Sequence, residues 1–216
     1  VARLQKSAHA EDTPCTGCHL DFAYTSPHKQ IEGGDDWAAA AKLACKNCHK
    51  DAFSAYANGM HSPAGKPGQT PDETVKARVA AGKPANVPLC GDCHGGHDIP
   101  PLEDNPAGQA ELHARGIQMC GQCHEAETTT YKDYYHGAAY QAGAKDAPAC
   151  WDCHDAHKVL PADDRNSPVH PSRLGDTCKK CHSDPNEDYI SYAQLVHKRE
   201  EVRAAVPLYA FWEGVR

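Results

Sequence analysis

Little in this 216-residue chain could build an ordinary hydrophobic core. It has 3 Phe and 2 Met, aromatics make up 7% of its residues, and mean hydropathy is -0.69. Buried apolar surface must offset the ordering entropy of the whole backbone. Something other than side chains therefore has to fill the interior. No run of about 18 apolar residues occurs, which excludes a membrane-spanning helix in the sequence as it stands. The opening Val-Ala-Arg-Leu-Gln-Lys leads into no apolar stretch and does not read as a signal peptide, so a mature or trimmed product is expected. Positive charge is short as well. Lys and Arg number 22 against 29 Asp and Glu, giving a net charge of -7 and a pI near 6.1. That balance argues against nucleic acid or anionic lipid as a partner. Sustained period-two alternation is also missing, so little or no β structure is expected.

What the chain does have is 12 Cys and 15 His. Every cysteine falls into one pattern: Cys15-Thr-Gly-Cys18-His19, Cys45-Lys-Asn-Cys48-His49, Cys90-Gly-Asp-Cys93-His94, Cys120-Gly-Gln-Cys123-His124, Cys150-Trp-Asp-Cys153-His154 and Cys178-Lys-Lys-Cys181-His182. A shuffled chain of this composition would contain roughly 0.05 matches to C-x-x-C-H. The pattern is the attachment signature of c-type haem. Two thiols three positions apart can add to the two vinyl groups on one porphyrin edge, and the next His is then held beneath the iron as its proximal ligand. A zinc ribbon would complete its site with four thiolates and leave six histidines unexplained. A disulfide framework would not hold all twelve cysteines in one register, and thioredoxin-like chemistry wants a single pair beside a βαβ unit. Six haem c groups are therefore expected.

Nine histidines remain after the six proximal ones, and seven of them alternate with the motifs. His9 precedes the first, His28 the second, His61 the third, His113 the fourth, His136 the fifth and His170 the sixth, with His197 last. His97 and His157 each follow a proximal His by three residues. Residues 90–147 align with 150–207, which exposes an internal repeat of two haems. Tyr56 and His61 match Tyr131 and His136, and Tyr192 with His197 repeats the same five-residue step. Residues 9–49 read as a degenerate first copy with Phe22 in the place of His97 and His157. A neutral imidazole above each iron would close the sixth coordination position and leave it only electron exchange. His61, His136, His97 and His157 recur in matching sequence and are the expected distal ligands, followed by His9 and His197. His28, His113 and His170 stand at varying distances before a motif and have no assigned role.

The stretch Cys-Gly-Asp-Cys-His-Gly-Gly-His-Asp-Ile (90–99) resembles the multihaem cytochromes c of respiratory bacteria. So do Tyr-Ala-Asn-Gly-Met-His-Ser (56–62) and its counterpart Tyr-Lys-Asp-Tyr-Tyr-His-Gly (131–137). Residues 165–182 are similar to a segment that links modules in those proteins. The resemblance spans roughly residues 9–197. It implies low-spin haems with two His ligands, a periplasmic or extracellular place (with membrane association open), and electron transfer in respiratory or extracellular transport. It also implies redox protein partners or a quinol-oxidising membrane complex.

The expected fold is mainly α with extensive loops, packed around haem as three dihaem modules. These are residues 1–60, residues 61–135 with an insertion at 62–88, and residues 136–186, followed by a helical tail at 187–216. Short helices are expected at 72–82, opened by Pro71 and Asp72, and at 107–118. A long one is expected at 187–206, where Tyr192, Leu195, Val196, Val202 and Val206 recur at helical spacing. Trp and Tyr beyond Pro207 leave docking to the haem domain and docking to a membrane or subunit both open. The leading function is electron carriage, as a shuttle, a complex subunit or a protomer of a homo-oligomer or filament, with no catalytic residues. The rival is an oxidoreductase with one open haem iron, which a motif lacking His would have favoured.

Overall fold

Seventeen Gly and sixteen Pro break this chain every few residues, and short turns of helix are what such a sequence can sustain. A computed structural model describes residues 3–11, 13–19, 42–62, 87–132 and 135–198. Among these residues there are helices and turns and no strand. The longest described helix has nine residues. The chain divides into two compact units, Val1–His113 and Ala114–Arg216.

In the first unit a 3-10 turn at Leu4–Lys6 precedes helix α1 (Cys15–Cys18). A second 3-10 turn at Ala44–Asn47 runs into α2 (Lys50–Ala57). Helix α3 (Cys90–His94) and α4 (Pro106–Ala114) follow. The amino-terminal segment is pinned to the loop after α3, because the Ala8 amide donates to the Ile99 carbonyl at 2.9 Å and Arg3 pairs with Asp98. The second unit contains α5 (Gly116–Gly121), α6 (Glu125–Lys132), α7 (Tyr135–Gln141), α8 (Cys150–His154), α9 (Leu174–Cys178) and α10 (Glu187–Ala193).

The described side-chain core is thin. Its buried apolar members are Ala44, Tyr56, Ile117, Tyr131, Ala147, Ala149 and Leu174, and five of the seven are either Ala or carry a hydroxyl. Among the described residues the one side chain buried to 0% exposure is a serine, Ser167, whose hydroxyl reaches the Leu160 carbonyl at 3.4 Å. Such a core leaves the interior for a large apolar group to fill, as composition suggested.

Two helices differ from expectation. The stretch 107–118 is broken at Arg115 into α4 and α5. The Gly116 amide donates to the Tyr140 hydroxyl at 3.1 Å instead of continuing the helical ladder. A side chain at Gly116 would also meet the Trp151 ring at 2.9 Å, so only glycine fits between these two aromatics. The tail helix expected at 187–206 runs only from Glu187 to Ala193 among the described residues. The Asn186 side chain caps its start by accepting from the Tyr189 amide at 2.9 Å. Beyond Ala193 the chain tightens into turns, with the Val196 amide bonded to the Ala193 carbonyl and Lys198 to Leu195. The expected helix at 72–82, most of the insertion at 62–88, Phe22, His28 and the tail after residue 198 lie outside the described residues.

Candidate haem-binding site

One turn of helix explains the attachment motif. At four of the six motifs the amide of the proximal His reaches back to the carbonyl of the first Cys: 2.9 Å at His19, 2.9 Å at His49, 3.0 Å at His124 and 2.9 Å at His182. Positions i, i+3 and i+4 share one helical face, so both thiols and the imidazole point the same way. The third and fifth motifs are whole short helices, α3 and α8, and each is tied at its start by its own Asp. Asp92 accepts from the Leu89 amide at 2.8 Å and Asp152 from the Ala149 amide at 2.7 Å. Both helices stop at equivalent residues with positive φ, Gly95 at 79° and Asp155 at 72°. None of the twelve cysteines is disulfide-bonded.

Among the described residues these histidine pairs face one another. His19 faces His97 with ring centroids 5.9 Å apart and planes 27° apart. His9 faces His49 at 5.9 Å with the planes at 85°. His136 faces His182 at 6.0 Å and 28°, and His154 faces His197 at 6.0 Å and 33°. Every pair joins one proximal His to one histidine from outside the motifs. A metal–imidazole bond of about 2.0–2.1 Å on each side, plus ring radii of roughly 1.1 Å, sets such centroids about 6 Å apart. The spacing therefore fits a metal ion held between two imidazoles. Donor set and spacing together fit haem c with two axial imidazoles.

Burial keeps three of these rings neutral, as axial ligation requires. His154 is pushed down to about 4, first by burial and then by His197 and His124. Burial also lowers His136, with His182 adding to the effect, and lowers His197. The outer nitrogen of His197 is held as well. Its Nδ1 lies 3.4 Å from Thr130 Oγ1, whose own proton goes to the Ala126 and Glu127 carbonyls at 3.1 and 3.0 Å. The hydroxyl is thus left to accept from Nδ1–H, and the Nε2 lone pair stays available to a metal. At His182, the Tyr189 hydroxyl sits 3.2 Å from Nδ1 with the two rings 4.9 Å apart.

His170 is differently engaged. Its Nδ1 accepts from the Ser172 amide at 3.2 Å and lies 2.7 Å from the Ser172 hydroxyl. A neutral ring that accepts at Nδ1 carries its proton on Nε2, so this histidine organises the turn before α9. His94 closes α3, His61 lies half-buried in the turn after α2, and His157 lies half-buried after α8. His113 is half-buried near the end of α4, and His124 is exposed with Nδ1 3.9 Å from the Glu127 carboxylate.

Neighbouring motifs approach closely inside each unit. The Cys45 thiol is within hydrogen-bonding reach of Cys90, and Cys120 of Cys150. The shared bond raises Cys45 and lowers Cys90 to about 7, and it likewise raises Cys120 and lowers Cys150. Cys18 is raised by burial and then by the thiols of Cys45 and Cys48, and Cys153 is pushed up to about 11 by burial, Asp152 and Cys178. Motifs one, two and three thus adjoin in the first unit, and motifs four, five and six in the second.

A clamp recurs at two of these junctions. Helix α2 begins at the proximal His49, and its Tyr56 hydroxyl donates to the Pro88 carbonyl at 3.0 Å, two residues before Cys90. Helix α6 begins after the proximal His124, and its Tyr131 hydroxyl donates to the Pro148 carbonyl at 2.5 Å, two residues before Cys150. Sequence spacing flagged both tyrosines without showing what they bind. Thr130 and Tyr189 carried no such signal, because their partners lie in other helices or turns.

Residues 44–108 match the family model described as Cytochrome c554 and c-prime. The match supports a c-type cytochrome, with covalently bound haem and a role in electron transfer. It covers motifs two and three, the first of the two clamped junctions. No curated protein and no solved structure matches the chain. Among the described residues no helix is long and apolar enough to cross a membrane.

Proposed function

We propose that the chain is an electron carrier that holds six haem c groups, one on each C-x-x-C-H motif. Bound haem iron takes up and releases one electron at a time. The rest of the task falls to the chain: to close each iron to substrates, hold neighbouring groups near one another, and exclude water. The observation that carries this reading is the set of four proximal–distal imidazole pairs, each spaced at 5.9–6.0 Å. An iron between two such rings has no open position. At these four sites that favours a carrier over an oxidoreductase with an open iron.

In this reading His97 closes the first site, His9 the second, His197 the fifth and His136 the sixth. His61 and His157 are the remaining candidates for the third and fourth sites. Within each unit the adjoining motifs would give electrons a continuous path. The resemblance to respiratory multihaem cytochromes supports a periplasmic or extracellular setting and redox proteins, or a quinol-oxidising membrane complex, as partners. Intact mass spectrometry of the purified holoprotein tests the assignment. A mass increase of six covalently attached haems is expected, and fewer would remove the motifs left unmodified.

A further inference from the structure

The two tyrosine clamps have more to do than satisfy buried hydroxyls. Tyr56 and Tyr131 are both 8% exposed, and a buried phenol ordinarily finds some acceptor. Here both find the same one, the carbonyl of a proline two residues ahead of the next motif. In both copies the tyrosine stands seven residues after a proximal His and five before a histidine outside the motifs, His61 or His136. In both, the first thiols of the two joined motifs lie within hydrogen-bonding reach.

The repetition survives a large difference in connection length. Cys45 and Cys90 are 45 positions apart, whereas Cys120 and Cys150 are 30 apart. An incidental contact would not return to the same atoms after fifteen residues are added to the connecting loop. The phenols remain proton donors at any ordinary pH, since burial, the largest cause, raises both Tyr56 and Tyr131.

We infer that Tyr56 and Tyr131 are positioning residues for electron transfer: each hydroxyl fixes the spacing and angle between two consecutive haem sites, the second and third for Tyr56 and the fourth and fifth for Tyr131. Each clamp ties a helix that grows from one proximal His to the segment that enters the next attachment helix. Rotation or slippage between the two sites would have to break that bond. The inference rests on the haem c reading above.

The test uses holoprotein bearing Tyr56→Phe, Tyr131→Phe and both together, with Thr128→Val as control. Thr128 is a buried hydroxyl on the same helix as Tyr131, and it bonds only within that helix, to the Glu125 carbonyl at 3.0 Å. Circular dichroism in the Soret region reads the mutual angle of neighbouring porphyrins through their exciton couplet. Each single Tyr→Phe change should alter the couplet with covalent haem content unchanged, and the double variant should show the sum of the two changes. Thr128→Val should leave the couplet as in the wild type. Tyrosine variants that lose thermal stability but keep the wild-type couplet would overturn the inference, as would an equal change from Thr128→Val. Should one variant fail to load haem, the other decides. Wild-type protein without covalent haem would instead sink the haem c reading itself.

Discussion

His97 follows the proximal His94 by three residues, yet its ring faces His19, 78 positions away in the first motif. Replacing His97 with Ala should therefore open the iron of the first site and leave the third closed. The 5.9 Å separation and 27° plane angle leave one metal position between the rings, so the change removes one axial ligand from one iron. For the six irons proposed above, about one sixth of the ferric iron should turn high-spin, and the ferrous protein should bind one carbon monoxide per chain. The space vacated is that of an imidazole ring, so added imidazole should restore the low-spin state. Site assignment comes from combining variants. Adding Cys15→Ser and Cys18→Ser should abolish the new high-spin signal, whereas adding Cys90→Ser and Cys93→Ser should leave it. The reverse pattern would show that His97 serves its sequence neighbour and that the ring pairing is wrong.

Two further outcomes follow from the same geometry. His170→Ala should leave every haem low-spin, because the ring's Nδ1 is committed to Ser172; its cost should appear as reduced thermal stability of the turn before α9. A new high-spin fraction in that variant would make His170 a ligand. The second site should differ electronically from the first, fifth and sixth, since its rings are crossed at 85° while the other three pairs lie at 27–33°. Crossed imidazoles donate to both iron π orbitals and leave them nearly degenerate. One strongly anisotropic low-spin resonance is thus expected, and it should disappear on His9→Ala; its persistence there would assign it elsewhere.

Much of the site could be read from the residues because attachment is local. Two thiols and a His within five positions need one helical turn, and nothing distant is required to recognise it. The expected helical character, without strands, is likewise what the described residues show, because Gly and Pro confine order to short turns. Distal ligation is non-local, and there the sequence could rank candidates without pairing them. His136 meets His182 and His197 meets His154 across 46 and 43 positions of chain. The break at Arg115 was hidden for the same reason: helical periodicity continues past it, while the competing bond to Gly116 comes from Tyr140, 24 residues on. The repeat was visible as a step of 60 residues from motif three to five and of 58 from motif four to six. The clamped junctions instead join motif two to three and four to five; the matching Tyr–His steps at 56–61 and 131–136 showed that correspondence, while the longer connection at 62–88 gave no hint of the shared proline acceptor.

The central claim is that every iron is closed by two histidines. Electron paramagnetic resonance of the oxidised holoprotein, with iron counted per chain, tests it most directly. Six irons, all low-spin, with no change on exposure to nitrite and no carbon monoxide bound after reduction, is the result the account predicts. A stoichiometric high-spin signal from any one iron in the intact protein would contradict it and place an open, potentially catalytic haem at that site.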